Sequence, residues 1–203
     1  MMFNYCPPVD LQDLKSTTFP DGKRYYTLPD GTRLPSVTTV LGAQKKDAIM
    51  EWRRKVGEDE ANRISKQATS RGTNVHTICE QYLNNQPSYM RGVMPDALEY
   101  FLSIKPYLNK INNIHYQEQA LWSTKIGMAG RVDCIAEFDG VLSVIDFKTS
   151  KRIKAKEDID NYFAQCVAYA CMYEELVGQP IEQIVVIMAV DRSEEHTSEL
   201  QSH

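Results

Sequence analysis

Residues 130–151 read GRVDCIAEFDGVLSVIDFKTSK, two apolar stretches on either side of Asp139-Gly140. That dipeptide suits a tight hairpin because both turn positions tolerate positive φ. Strands are therefore expected over 129–138 and 141–148, and the second closes on Asp146, Phe147 and Lys148 while Asp133 lies near the start of the first. Charged side chains at the end of a buried strand are costly unless paired, hydrated or bound to a cation. Asp133 lies six residues before the turn and Asp146 six after it, so simple pairing brings the two carboxylates together. Carboxylates on one face repel unless a cation lies between them, and a small set of oxygen ligands suits Mg²⁺ or Mn²⁺. Lys148, two residues beyond Asp146, points to the same side. There it can hold or deprotonate a water and counter charge on a phosphate. An Asp-Lys salt bridge at a strand end is the plainer alternative.

Outward from the hairpin, a strand is expected near 116–123, a helix over 157–177 stopped by Gly178 and Pro180, and a buried strand over IVVIMAV, 184–190. Thr69-Ser70 opens a helix carrying RGTNVHTICE, in which His76 and Glu80 share a face. Residues 95–114 read as helical with a break at Pro106, and Asp47 as the N-cap of a helix carrying Ile49, Met50, Trp52 and Val56, with Arg53, Arg54, Lys55, Arg63 and Lys66 on its polar side. Two PDG turns around KRYYTL predict a small β-hairpin appendage in which Tyr25 and Tyr26 pack on the core, with contact of its aromatic and basic side chains to a nucleic acid as the alternative. The result is an α/β fold with an αβββαβ core, preceded by a hairpin and helix appendage over 1–68.

Composition sets outer limits. The 203 residues are 42% apolar and 25% charged, ordinary for one globular domain. A net charge of −4 argues against a generally basic coat but leaves room for a local basic groove. No apolar run reaches membrane-spanning length and the N-terminus lacks a signal-peptide pattern, so a cytoplasmic protein is expected. The five cysteines form no CxxC pair, and the four at 79, 134, 166 and 171 fall in expected elements, as buried thiols would. The last twelve residues, RSEEHTSELQSH, resemble the translation of a sequencing adapter, so 192–203 are set aside as a non-native tail on a core of 69–191.

D-x-K alone carries little weight, since about 0.7 chance occurrences are expected in a chain of this length and this one holds DLK, DGK and DFK. Four motifs in order carry more. RGTNVHTICE, GRVD, VIDFKTSK and QCVAY together resemble the PD-(D/E)XK nuclease superfamily, in particular its RecB-like exonuclease branch. The likeness covers about 69–190, with LPSVTTVL a looser match upstream. Val132 stands where the family name has proline, and Asp146 where it has the alternative acid.

The resemblance implies a restriction-endonuclease-like core with a mixed sheet flanked by helices. It implies that His76, Asp133 and Asp146 ligate a Mg²⁺ or Mn²⁺ ion with the Phe147 carbonyl. Lys148 is then the catalytic lysine, oriented with water and phosphate by Gln165 and Tyr169. Glu80 and Glu118 are candidates for a supporting shell, and each also reads as a plain surface acid. Arg53, Arg54, Arg71, Lys151 and Arg152 are the candidate DNA contacts. The expected activity is a metal-dependent deoxyribonuclease, an exonuclease on single-stranded DNA ends in recombination, repair or degradation, with a helicase or recombination protein as partner, in a bacterial or phage-infected cell. A structure-specific or restriction endonuclease, and a noncatalytic DNA-binding subunit, are the alternatives.

Overall fold

The computed structural model describes residues 2–155 and 158–191; the adapter-like tail lies outside them. The chain opens with a three-stranded antiparallel sheet, β1 (Ser16–Thr18), β2 (Arg24–Thr27) and β3 (Arg33–Pro35), rather than a simple hairpin. Alternation along β2 buries Tyr26 and turns Tyr25 outward against Phe19, so only Tyr26 joins the core. Ser36 caps α1 (Val37–Gly42) by accepting from the Thr39 amide at 3.0 Å. Helix α2 (Lys46–Val56) follows, with Asp47 inside its first turn and Lys45 at the cap position.

Gly57, at φ 87°, turns the chain into α3 (Glu58–Leu83). This helix is three turns longer at its start than the Thr69-Ser70 signal suggests. The stretch 58–68 carries Glu58, Asp59 and Glu60 in the first turn, where carboxylates complement the helix dipole. Helix α4 (Pro95–Leu108) runs through Pro106 without a break and ends two residues later. Residues 111–114 are strand rather than helix, opening β4 (Ile111–Ser123).

β5 (Met128–Phe138), β6 (Val141–Ser150) and β7 (Gln183–Val190) complete a four-stranded sheet in the order β4-β5-β6-β7. Its first two pairings are antiparallel and the last is parallel, the crossover being α5 (Asp160–Val177). One face is covered by α3 and α4, with Val75, Ile78, Phe101 and Ile104 against Cys134, Ile145, Phe147 and Ile187. The other is covered by α1 and α5, with Val37, Cys166, Met172 and Tyr173 against Ile135 and Val144. Cys79, Cys134 and Cys166 are buried thiols as expected, whereas Cys171 and Cys6 are exposed. Among the described residues no helix is long and apolar enough to cross a membrane.

Candidate active site

The β5–β6 ladder ends at Cys134↔Ile145, one pair short of Asp133 and Asp146. From that point β5 continues with β4 and β6 with β7. The sheet therefore forks, and the notch exposes main-chain groups that side chains must satisfy. Asp133 does so: its Oδ2 accepts the Phe147 amide at 2.8 Å. The same oxygen lies 3.6 Å from His76 Nδ1, delivered from α3 on the opposite side of the notch.

The third member is Glu118. Its neighbours pair as Gln117↔Cys134 and Gln119↔Val132, which sets Glu118 opposite Asp133, and its φ is +47°. A left-handed backbone inside a strand costs about 1–3 kcal/mol and is retained only where the surroundings hold it. Here the Arg131 guanidinium donates to the Glu118 carbonyl, and Arg131 is itself held by Asp13 at 2.6 Å. Ligand atoms of His76, Glu118 and Asp133 all fall within 4.8 Å of one another. Burial, then the charge of Asp133, pushes the Glu118 carboxyl up to about 7.

Asp146 is 1% exposed. Gln165 donates to its Oδ1 at 3.3 Å, while Oδ2 is paired with the Lys148 ammonium. Burial and the Asp133 carboxylate push the Asp146 carboxyl up to about 6, against the opposing pull of Lys148. For Lys148, burial works against the charge, but the carboxylates of Asp146 and Asp133 outweigh it and hold the pKa above the ordinary lysine value. Crowded carboxylates are what a divalent cation relieves, and the oxygen-rich set with one imidazole fits such an ion.

Tyr169, one turn after Gln165 on α5, lies with its ring on Gly130; a Cβ there would stand 2.7 Å from the ring. The glycine of GRVD thus serves close packing. Tyr169 and Gln165 join His76, Glu118, Asp133 and Lys148 around a cleft of about 400 Å³. Its far wall comes from the N-terminal sheet and α1, as Arg24, Tyr26, Ser36 and Thr38.

Comparison with known proteins agrees with this geometry. The PD-(D/E)XK nuclease superfamily matches residues 48–201. The chain belongs to that superfamily. Among curated relatives it is similar to Mitochondrial genome maintenance exonuclease 1 of Mus musculus, 29% identical over 146 residues covering 67% of this chain and 43% of that protein. The Homo sapiens protein of the same name is 28% identical over 148 residues, covering 67% of this chain and 42% of its own length. The chain thus spans less than half the length of these relatives.

The remaining candidates scatter around this superfamily core. Glu80 stays outside the three-ligand cluster, though its charge adds to the upward push on Glu118. Arg71 and Lys151 line a groove of about 460 Å³ with Lys66, Gln67, Ser70 and Asn74, beside the N-terminal half of α3. Arg53 is engaged by Glu58 and by Asn62, Arg54 lines a shallow depression beside it, and Arg152 is exposed at the end of β6. Sequence reasoning missed the far wall. LPSVTTVL stood out, but nothing in it says that β2 and α1 close over a site a hundred residues away.

Proposed function

We propose that this protein is a metal-dependent deoxyribonuclease, an exonuclease acting on the ends of single-stranded DNA. The observation that carries this reading is the convergence of His76, Glu118 and Asp133 at the sheet fork, beside a buried Asp146 paired with Lys148. Superfamily membership and relatives named as exonucleases support it. His76, Asp133, Asp146 and the Phe147 carbonyl would hold a Mg²⁺ or Mn²⁺ ion, with Glu118 promoted from supporting acid to direct ligand. Bound there, the cation acts as a Lewis acid toward the scissile phosphate and eases deprotonation of the attacking water.

The chain's own groups do the rest. Water adds to phosphorus as one P–O ester bond breaks, leaving a phosphate monoester and a free hydroxyl. The Lys148 ammonium, held charged by its carboxylate neighbours, offsets the negative charge that builds on the phosphate. Gln165 fixes Asp146 by its Oδ1. The groove lined by Lys66, Arg71 and Lys151 would track the strand by phosphate contacts, which carry no base information and suit sequence-independent cutting. A role in recombination, repair or DNA degradation, alongside a helicase or recombination protein, is part of the same proposal.

The test is cleavage of end-labelled linear and covalently closed circular single-stranded DNA with Mg²⁺, Mn²⁺ or EDTA, comparing the chain with Asp146→Ala. Metal-dependent loss of the linear substrate alone, reduced at least 100-fold by the substitution, is the expected result. Cutting of circles makes the protein an endonuclease. A folded protein that binds DNA and cuts neither substrate is the noncatalytic subunit.

A further inference from the structure

We infer that Arg24, with the Thr38 hydroxyl, forms a second phosphate-binding point on the far wall of the cleft, holding a backbone phosphate of the nucleic acid next to the one being cut. The inference rests on the nuclease reading and adds to it a residue of the N-terminal sheet.

Three observations carry it. The cleft holds three permanently cationic side chains, and two are already neutralised: Arg131 by Asp13 and Lys148 by Asp146. Arg24 has no carboxylate partner among the described residues, and its one side-chain contact is a long 3.4 Å hydrogen bond to Thr18. A guanidinium left without a counter-charge on the wall of a cleft is free to take an anion from solution. It is also the side chain best suited to grip two phosphate oxygens at once.

The second observation is that the wall is rigid. The Arg24 amide donates to Thr39 Oγ1 at 2.9 Å and its carbonyl accepts the Ser36 amide at 2.8 Å. Ser36, 2% exposed, ties the same turn together through Thr38 and Thr39 at 3.0 and 2.9 Å. Both main-chain groups of Arg24 are thus clamped while its head is left open, an arrangement that lowers the ordering cost of binding.

Direction is the third. Alternation along β2 places Arg24 on the same face as Tyr26, which lines the cleft, and Tyr25 on the other with Phe19. The opposite wall carries Glu118 and Asp133 and would repel a phosphate that was not bridged by a cation. An anchor on the far side therefore pulls the strand across the metal-binding acids and fixes its register.

The experiment is equilibrium binding of a short fluorescent single-stranded DNA to the Asp146→Asn form with Mg²⁺, from 50 to 200 mM salt, with and without Arg24→Ala, Arg24→Lys or Arg33→Ala. Arg33 faces away from the cleft and serves as the control. Arg24→Ala is expected to weaken binding about tenfold and to reduce the slope of log affinity against log salt by about 0.7, one single-strand phosphate contact. Arg24→Lys should restore the slope and only part of the affinity, and Arg33→Ala should change neither. If DNA is bound and cut but Arg24→Ala leaves affinity and slope as they were, the anchor is wrong and the nuclease reading stands. Weakened binding with an unchanged slope and an early melt also overturns it, as the mark of a disturbed wall. A wild-type chain that neither binds nor cuts DNA overturns both.

Discussion

Asp146 and Glu118 are carboxyls that the fold holds in environments favouring the proton. Both have folded pKa values above the ordinary carboxylate value, at about 6 and about 7, from burial first and from Asp133 second. A raised carboxyl contributes stability that is fully present below its unfolded pKa and is lost as pH rises through the folded value. Lys148 is raised as well, so its share is complete below the ordinary lysine pKa and constant across this window. The metal-free protein should therefore melt at progressively lower temperature in EDTA from about pH 4 to about pH 7 and level off above that. Mg²⁺ or Mn²⁺ should restore the loss by an amount that grows with pH as protons leave the ligands. Thermal melts across that range check it, with Asp146→Asn expected to flatten the EDTA curve; a flat wild-type curve would refute the account. At this scale much was legible. Asp133, Asp146, Lys148 and His76 follow from motif order and strand parity. Glu118 was legible only as a candidate supporting acid, since its place opposite Asp133 depends on a left-handed residue inside β4 that no pattern in the sequence announces.

Between elements, the two motif glycines have different jobs, and substitution separates them. Gly130 on β5 lies under the Tyr169 ring of α5, and the tyrosine, 3% exposed, has no room to retreat. Gly130→Ala is expected to cost about 1–3 kcal/mol by overpacking and to push Tyr169 and Gln165 off the site, so activity should fall more steeply than stability. Gly72 on α3 faces Thr149 of β6, whose Oγ1 would stand 3.7 Å from an added Cβ, an ordinary contact. Gly72→Ala should therefore be tolerated and should raise stability by up to about 1 kcal/mol through helix propensity. Urea midpoints read beside cleavage rates distinguish the two. The reach of sequence reasoning at this scale follows the same physics. The β5–β6 hairpin was legible because Asp139-Gly140 and apolar alternation are local signals. The start of α3 was not: Arg63 and Lys66 read as the polar side of the preceding helix, because the stretch 58–67 has few buried residues of its own to show that it continues into Val75, Ile78 and Cys79.

At the scale of the whole molecule, the N-terminal segment is laced onto the superfamily core rather than appended to it. Leu14, Tyr26, Leu28 and Leu34 form one buried cluster with Ala120 of β4 and Ala129 of β5, and Trp122 packs against it. Ser36 bridges to Ala129, the Cys6 amide donates to the Ile114 carbonyl at 2.8 Å, and Tyr116 donates to the Val9 carbonyl at 2.6 Å. Helix α3, for its part, crosses the boundary expected at residue 68. A sequence read locally has no way to show such long-range stitching, which is why the far wall of the cleft came only with the fold. One cooperative unit follows as a prediction. Leu34→Ala, at a site 8% exposed, should cost about 2–4 kcal/mol. In a Trp52→Phe background, Trp122 fluorescence then reports the cluster alone while circular dichroism reports the helices. The two urea transitions are expected to coincide and to shift together with the substitution. If Trp122 instead lost its signal at lower urea while the helices persisted, the N-terminal segment would be a separately folding lid, and the cleft would open without the nuclease core unfolding.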